Sequence, residues 1–314
     1  MASFIVRRII LTLIVLIIIS FVSFLLIQVM PGDPAAAMLG LEARPEQIAA
    51  LRHELWLDRP FLVQYGHWFN NIIHGNLGNS LMYREPISGI FATRLPITLY
   101  LSFLSLILST IVGIPAGIIC AIRRGGILDQ LVSLFANVGM AVPIFWVGIM
   151  AIYLFAFKLG WLPIQGWTSP LEDFVKSSRQ AILPIIMLAI PGIAVMARQT
   201  RSSMLEVIRQ DYIRTALSKG LVERVVVLRH ALKNALIPVV TLMGLHLRVL
   251  VGGSVLIEQV FNIPGMGRLL VNAVFNKDFL IVQAGVLLLG TVVCLANLLV
   301  DISYGWLDPR IRYG

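Results

Sequence analysis

Six long apolar stretches recur along the chain, each close to the ~20 residues that a helix needs to cross the ~30 Å hydrocarbon core of a membrane. They are Ile9–Met30, Pro96–Ile122, Leu131–Phe157, Ala181–Thr200, Ile237–Ile257 and Ile281–Gly305. The first stretch follows Arg7 and Arg8, but it is longer than the apolar part of a signal peptide, so we interpret it as a retained anchor. The pattern predicts an all-α, polytopic membrane protein with six transmembrane helices.

The composition supports this interpretation. Of the 314 residues, 58% are apolar and 13% are charged, whereas soluble domains have about 45–50% apolar and about 25% charged residues. A soluble globular enzyme, a disordered protein and a disulfide scaffold are therefore excluded. The two cysteines, Cys120 and Cys294, lie inside apolar stretches and are predicted to be small buried side chains.

The charged residues indicate the orientation in the membrane. The formal net charge is +9, and one set of alternating loops has a net charge of +9 while the other set has +1. The first set comprises residues 1–8, 123–130, 197–236 and 306–314, and the second comprises residues 31–95, 158–180 and 259–280. Because positively charged loops stay in the cytoplasm, both termini are predicted to be cytoplasmic. Topology explains the basic residues, so we predict the lipid bilayer and no nucleic acid as partner.

The first large loop, residues 31–95, is predicted to face outward. Pro45–Trp56 and Phe61–His74 have the pattern of short amphipathic helices. The second of these helices is rich in aromatic residues, namely Phe61, Tyr65, Trp68 and Phe69. Two interpretations stay open: a surface that lies on the membrane or a partner, and a small cap packed on its own helices.

The cytoplasmic stretch 201–236 carries the most information. Asp211 is predicted to cap a short helix, Tyr212–Lys219, which stops at Gly220. A second helix is predicted to follow, with one apolar stripe formed by Leu221, Val225, Leu228, Leu232 and Leu236. Two short helices around a glycine corner would form a knob that docks on a cytoplasmic partner; an ordinary positively charged loop is the alternative.

Sequence motifs of catalysis are absent. The chain has no G-x-x-x-x-G-K-[ST] phosphate loop, no H-E-x-x-H and no G-x-S-x-G, and its five histidines lack metal-ligand spacing. Proline recurs inside the spans, as tolerated where helices line a cavity: Pro115, Pro143, Pro184, Pro191 and Pro238 are examples. Gly113 and Gly117 form a G-x-x-x-G that permits close helix packing. These features favour the membrane subunit of a transporter powered by another chain, over an intramembrane enzyme or a purely structural subunit.

Several motifs in a fixed order resemble one known family. They are Pro31-Gly-Asp-Pro34, Leu57-Asp-Arg-Pro60, Gly75-Asn-Leu-Gly78, the stretch from Asp211 to Gly220, the stretch from Arg229 to Pro238, Gly252-Gly253, Pro264-Gly-Met-Gly-Arg268, the stretch from Asn297 to Asp301, and Leu307-Asp-Pro-Arg310. Together they span nearly the whole chain. The sequence resembles the permease subunit of ATP-binding-cassette importers of the dipeptide, oligopeptide and nickel group.

The resemblance implies a type I permease fold with a coupling loop that inserts into a cleft on the ATPase. The residues matched to the coupling motif are Asp211, Arg214, Ala216, Lys219 and Gly220, with Arg214 at a position that is usually acidic. The segments implied are 1–30 as cytoplasmic terminus and first helix, 31–95 as external segment, and 96–314 as permease core with a coupling loop at about 201–236.

The resemblance also implies partners and substrate. The family pairs two homologous permease chains, two ATPase chains that bind ATP and Mg, and an external substrate-binding protein, in the bacterial inner membrane. No cofactor is expected on this chain, which is not expected to be an enzyme. The implied cargo is small peptides; nickel chelates and glutathione are the alternatives.

Three polar residues, His246, Arg248 and Glu258, are candidates for the transport pathway. A mid-bilayer arginine costs roughly 2.5–3.5 kcal/mol, so Arg248 is expected to face water or a protein partner rather than lipid. It would attract a peptide carboxylate in the first case and form a structural pair in the second. Glu258 lies ~15 Å farther along the helix, which disfavours a direct pair between them.

The predicted topology can be tested by cysteine labelling from outside the cell. A reagent that does not cross the membrane should modify Asn76→Cys, in the outer segment, and leave Ser218→Cys, in the cytoplasmic stretch, unmodified. Labelling of Ser218→Cys in intact cells would contradict the predicted orientation.

Overall fold

The protein is described by a computed structural model, which gives the backbone of residues 2–29, 33–40, 43–222 and 225–307, and the side chains of 5–29, 33–40, 43–222, 225–246 and 252–302. Twelve α-helices lie in these ranges. They are α1 (Ala2–Gln28), α2 (Pro34–Leu39), α3 (Pro45–Glu54), α4 (Phe61–Ile73), α5 (Ile87–Ile122), α6 (Ile127–Ala141), α7 (Ile144–Ala151), α8 (Phe174–Ile208), α9 (Asp211–Ser218), α10 (Leu232–Val260), α11 (Met266–Phe275) and α12 (Phe279–Leu307). Two π-helices, Ile152–Lys158 and Val226–Ala231, continue α7 and precede α10.

Five helical stretches are long and apolar enough to cross a membrane. They are Ile5–Gln28, Ile87–Ile122, Phe174–Ile208, Val226–His246 and Phe279–Ile302. Each overlaps one of the predicted spans, so five of the six predictions are confirmed as helices. Pro184 and Pro191 lie inside α8 and Pro238 lies inside α10 without ending either helix.

The third predicted span, Leu131–Phe157, is not one continuous helix. α6 and the stretch Ile144–Lys158 meet at an angle of 103°. Pro143 has no N–H to donate and disfavours the helical conformation of the preceding residue. Val142 is accordingly extended, with φ −84° and ψ 132°. The third predicted span is therefore a bent helix pair, which is the geometry of a broken span or of a re-entrant loop. A hydropathy pattern alone does not distinguish it from a straight helix.

The chain divides into two compact units, which are described separately. The first comprises Met1–Ile97 and Pro264–Leu298. In it, the aromatic side chains of α4 pack on α1: the ring centroids of Phe61 and Tyr65 lie 5.4–5.8 Å from those of Phe21 and Phe24. The aromatic residues of the outer segment thus form a cap on the chain's own helix, as in the second interpretation above.

Two serines also attach α1 to this unit. Ser20 Oγ lies 2.8 Å from Tyr65 Oη of α4, and Ser23 Oγ donates to the backbone carbonyl of Gln283 in α12 at 2.5 Å. Both serine side chains are buried. These hydrogen bonds fix the rotation of α1 about its own axis, because only one face of the helix carries the two hydroxyls.

A buried carboxylate fixes the turn that precedes α5. Asp278, just before α12, accepts from Ser80 Oγ at 2.5 Å and from the backbone N–H of Met82 at 3.1 Å. Its other oxygen accepts from the N–H of Ile281 in the first turn of α12. Charge-assisted bonds of this kind are stronger than neutral ones, so Asp278 joins the turn to the beginning of α12.

The second unit comprises Thr98–Ile263 and Leu299–Gly314. Its α5 and α8 approach closely at the glycines of the G-x-x-x-G motif. A Cβ at Gly113 would lie 2.6 Å from Met196 Cβ, and a Cβ at Gly117 would lie 2.5 Å from the Ala197 carbonyl oxygen. Ser109 Oγ, on the same helix, donates to the Ala189 carbonyl at 3.1 Å. The motif therefore brings two helix backbones together.

A methyl group at this contact should destabilise the second unit. Gly117→Ala must push α8 away from α5, and overpacking of this kind costs about 1–3 kcal/mol. Gly89→Ala, in the same helix, is the control: nothing lies within 4 Å of its added Cβ, and glycine is a poor helix former. Thermal unfolding in detergent, followed by tryptophan fluorescence, should show a lower midpoint for Gly117→Ala alone. Equal midpoints would contradict the close contact.

Candidate functional site: the coupling segment and the polar residues of the spans

The short helix α9 is the most exposed helical element of the stretch 201–236. Ile213 anchors it, because this side chain is buried in an apolar cluster with Met204 of α8, Ala121 of α5 and Val226 and Val227 of the second π-helix. Asn234 Nδ2 of α10 donates to Tyr212 Oη at 2.8 Å and adds a polar attachment. The helix is thus held rigidly while most of its surface remains uncovered.

Four of the five residues matched to the coupling motif are exposed: Asp211, Arg214, Lys219 and Gly220. Ala216 is half-buried and packs against the cluster around Ile213. Arg214 Nη1 lies 3.9 Å from Asp211 Oδ1, but both side chains are largely in solvent, so this ion pair contributes little to stability. Their charges therefore remain available to a partner surface.

The predicted cap of this helix is wrong by one residue. Asp211 is the first helical residue and Gln210 occupies the N-cap, without a side-chain hydrogen bond. Asp211 still favours the helix, because a carboxylate in the first turn interacts with the positive end of the helix dipole.

Gly220 ends this element as predicted, with φ +80°. Its N–H donates to the Leu217 carbonyl at 2.9 Å. Nothing in the chain lies within 4 Å of a Cβ added there, so the only cost of a side chain within this protein is the conformational one, roughly 1 kcal/mol.

The predicted second helix is confirmed only from residue 225 onward, where it is continuous with the next long helix, and its predicted apolar stripe is wrong. The chain forms a π-helix at Val226–Ala231 that runs directly into α10, and the buried face consists of Val226, Val227, Ala231, Ala235 and Val239. Of the predicted stripe, Leu221, Val225 and Leu228 are exposed and Leu232 and Leu236 are half-buried. A π turn contains one residue more than an α turn, and this rotates the buried face away from the side predicted by a regular α period.

His246 is buried in the second unit against Gly192 of α8 and Ser109 of α5. A Cβ at Gly192 would overlap both His246 Nε2 and Ser109 Oγ. Among the described residues, His246 Nε2 has no hydrogen-bond partner. Gly192 therefore makes room for the imidazole in the helix interior, a contact that the sequence pattern did not reveal.

Glu258 is fully buried near the end of α10. Its Oε1 accepts a hydrogen bond of 2.7 Å from Thr98 Oγ1 of α5, a side chain that is also fully buried. The backbone of Arg248 is part of α10, but its side chain lies outside the described residues. Arg224 lies wholly outside the described residues. The pathway role of His246, Arg248 and Glu258 stays a prediction.

A partly buried ion pair between α6 and α8 was missed by the sequence analysis. Arg201 of α8 donates from Nε to Asp129 Oδ1 at 2.7 Å and from Nη2 to Oδ2 at 2.8 Å. Asp129 of α6 also accepts from the N–H of Gly125 at 2.9 Å, and its side chain is only 6% exposed. The pair joins α6, α8 and the loop before α6. The two residues are 72 positions apart, so no local pattern predicts the pair.

Candidate ligands for a metal do not converge. Within the described ranges, no group of three or more His, Cys, Asp or Glu side chains is arranged to hold a metal ion. Cys120 and Cys294 are free thiols and are buried, as predicted.

Comparison with known proteins identifies the family. Residues 113–313 match the family model described as "binding-protein-dependent transport system inner membrane component", and residues 1–102 match that of its N-terminal region. The chain is 42% identical to a probable peptide ABC transporter permease protein of Sinorhizobium fredii, with 100% of both chains covered. It is 39% identical to a dipeptide transport system permease protein of Alkalihalophilus pseudofirmus and 41% to a glutathione transport system permease protein of Escherichia coli, again with 100% of both chains covered.

Solved structures share the fold. A crystal form of the MetNI methionine ABC transporter in an inward-facing conformation aligns with a TM-score of 0.58 at 20% identity, covering 70% of this chain and 96% of that one. The similarity supports the predicted fold of a type I importer permease.

The Asp129–Arg201 pair should be sensitive to its geometry. Arg201→Lys keeps the positive charge but cannot form two parallel bonds, and the loss of one bond to a charged group costs roughly 1.5–3 kcal/mol. We expect a lower thermal midpoint in detergent. Arg209→Lys, an exposed arginine at the end of the same helix, should leave the midpoint unchanged. Equal midpoints for both variants would show that the second parallel bond does not stabilise the fold.

Proposed function

The chain belongs to the family of binding-protein-dependent transport system inner membrane components, and on this basis we propose that it forms part of the pathway through which an ATP-driven importer carries small peptides. The chain itself is a multi-pass inner-membrane permease of an ABC importer. We propose peptides as the substrate because the chain is 39–42% identical, over its full length, to peptide and dipeptide permeases.

ATPase and binding-protein partners follow in general from the family. In finer detail, we propose that this subunit pairs with a second, homologous permease, that two cytoplasmic ATPase chains bind ATP and Mg, and that an external binding protein delivers the peptide. Both termini and α9 are then cytoplasmic. The loop charge difference of +9 against +1 supports this orientation.

We assign the coupling role to α9 and the residue that ends it. Asp211, Arg214, Lys219 and Gly220 are exposed, while Ile213 and Ala216 hold the helix against the cluster around α8. A rigid, exposed helix attached to a membrane helix transmits displacement of a bound ATPase better than a mobile loop does. The same assignment explains why the chain needs no nucleotide motif of its own.

His246, Arg248 and Glu258 are proposed to act in or beside the pathway. Glu258 is bonded to Thr98, so it contributes to the position of α10 relative to α5. Arg248 would supply the positive charge that draws the carboxylate of a peptide, since a lipid-facing arginine at that depth is costly.

Glutathione is a second candidate substrate, because the glutathione permease relative matches this chain over its full length. Glutathione is itself a small anionic peptide derivative, so the two proposals share their chemistry. Competition between labelled dipeptide and unlabelled glutathione in an uptake assay separates them.

Reconstitution of the complete importer tests the function and the coupling assignment together. The wild-type complex should take up labelled dipeptide, and the dipeptide with its binding protein should stimulate ATP hydrolysis. Gly220→Asp should reduce this stimulation while basal hydrolysis and assembly persist, because the added side chain lies on the surface assigned to the ATPase contact.

Gly160→Asp is the matched control. Gly160 has φ +64° and nothing within 4 Å of an added Cβ, so it carries a similar conformational cost, but it lies in a loop predicted to face outward. Normal stimulation in Gly220→Asp would refute the coupling role. Absence of any peptide uptake by the wild-type complex would refute the proposed substrate.

A further inference from the structure

A cavity of about 310 Å³ lies within the first unit. Its walls come from the end of α1, from α3 and α4, from the turn at Asn76–Leu81 and from the beginning of α12. The volume is at the lower end of the range of about 300–1,000 Å³ that is usual for small-molecule sites. Nothing in the proposed transport mechanism uses this cavity.

One part of the lining is apolar. Phe24 and Ile27 of α1 and Leu51 of α3 contribute side chains that are more than nine-tenths buried. Trp68 of α4 and Leu280 of α12 complete this surface. It offers a place for an aliphatic or aromatic group.

The rest of the lining is rich in side-chain amides: Gln28, Gln64, Asn71, Asn76, Asn79 and Gln283. Gln64 is held in place, because its Oε1 accepts from Gln28 Nε2 at 2.6 Å and its Nε2 donates to the Arg59 carbonyl at 2.7 Å. Amides donate and accept at once, so they match the peptide group, which does the same.

Gln283 is the amide whose hydrogen bonds are incomplete. Its side chain is 2% exposed, and in the described part of the chain its Nε2 has no hydrogen-bond partner. Buried donors are normally paired. This Nε2 is itself enclosed, so a ligand carbonyl in the cavity would accept from it only after the Gln283 side chain rotates toward the cavity.

The charge of the lining favours a cation. Glu54 contributes a solvent-exposed carboxylate at the last residue of α3, where the negative end of the helix dipole adds to its field. Neither lysine nor arginine is among the described residues that line the cavity. The His67 ring is stacked on Trp56, with the ring centroids 3.9 Å apart. An anionic ligand would therefore meet the Glu54 carboxylate and neither lysine nor arginine, whereas an ammonium group would meet an opposite charge.

We propose that this cavity binds a short peptide by its free amino terminus, separately from the transport pathway. The ammonium group pairs with Glu54, the peptide groups bond to the amides, and the first side chain, if apolar, contacts Trp68 and Leu51. We propose peptides, rather than other apolar amines, because the proposed function is peptide transport. The site is part of this chain alone, so binding requires neither the ATPase nor the external binding protein.

Binding to the purified full-length chain in lipid nanodiscs tests the proposal. Leucylglycine should change the tryptophan fluorescence saturably, because Trp68 lines the cavity. N-acetyl-leucylglycine, which lacks the ammonium group, should bind roughly tenfold more weakly, as expected for the loss of one charge-assisted hydrogen bond. Glu54→Gln should weaken leucylglycine binding by a similar factor, and Glu46→Gln, an exposed carboxylate in the first turn of the same helix, should have no effect.

The outcomes separate this proposal from the proposed function. Equal affinity of leucylglycine for Glu54→Gln and the wild type, or for the free and acetylated peptides, would overturn the cavity site. So would an absence of saturable binding while the complete importer still takes up dipeptide. Binding with the expected pattern and no uptake by the importer would support the site and refute the transport proposal. If Glu54→Gln does not fold, the comparison of free and acetylated peptide on the wild type still decides.

Discussion

The close approach of α5 and α8 is the contact on which the second unit depends. Lipid tails are as apolar as leucine, so helices in a membrane gain little from burying apolar side chains against each other. Association must come from dense packing and from polar bonds. Gly113 and Gly117 allow the dense packing, and Ser109 provides a polar bond. Arg201 of α8 also forms an ion pair with Asp129 of α6, which attaches α6 to α8 as a third helix.

This packed group of helices supports α9, the segment to which we assign the coupling role. α8 leads directly into the short connection before α9, and its Met204 belongs to the cluster that buries Ile213. The second π-helix contributes Val226 and Val227 from the other side. α9 therefore rests on helices that enter the membrane, and its displacement cannot be separated from theirs.

Much of the fold follows from the sequence because length and hydropathy are sufficient to define a membrane-crossing helix. Five spans were predicted for this reason, and the short helices α3 and α4 and the end of α9 at Gly220 were predicted from amphipathic pattern and turn residues. The bend at Pro143 and the face of the helix after Gly220 were not. The bend follows from Pro143 and the extended Val142 before it. The buried face depends on the local number of residues per turn, which apolar periodicity assumes to be constant. The Asp129–Arg201 pair and the cavity beside Trp68 arise from residues far apart in the chain, so only the structure brings them together.

The attachment of α1 has a consequence for how this helix tolerates substitution. Most of its apolar side chains, such as Ile10, Ile14 and Ile18, are exposed on the chain's own surface, where one aliphatic group meets the hydrocarbon as well as another. Ser20 and Ser23 instead form bonds that no lipid tail can replace. In a soluble helix the bulky apolar residues usually determine where the helix packs. In α1 these residues are interchangeable, and the two serine hydroxyls determine where the helix docks.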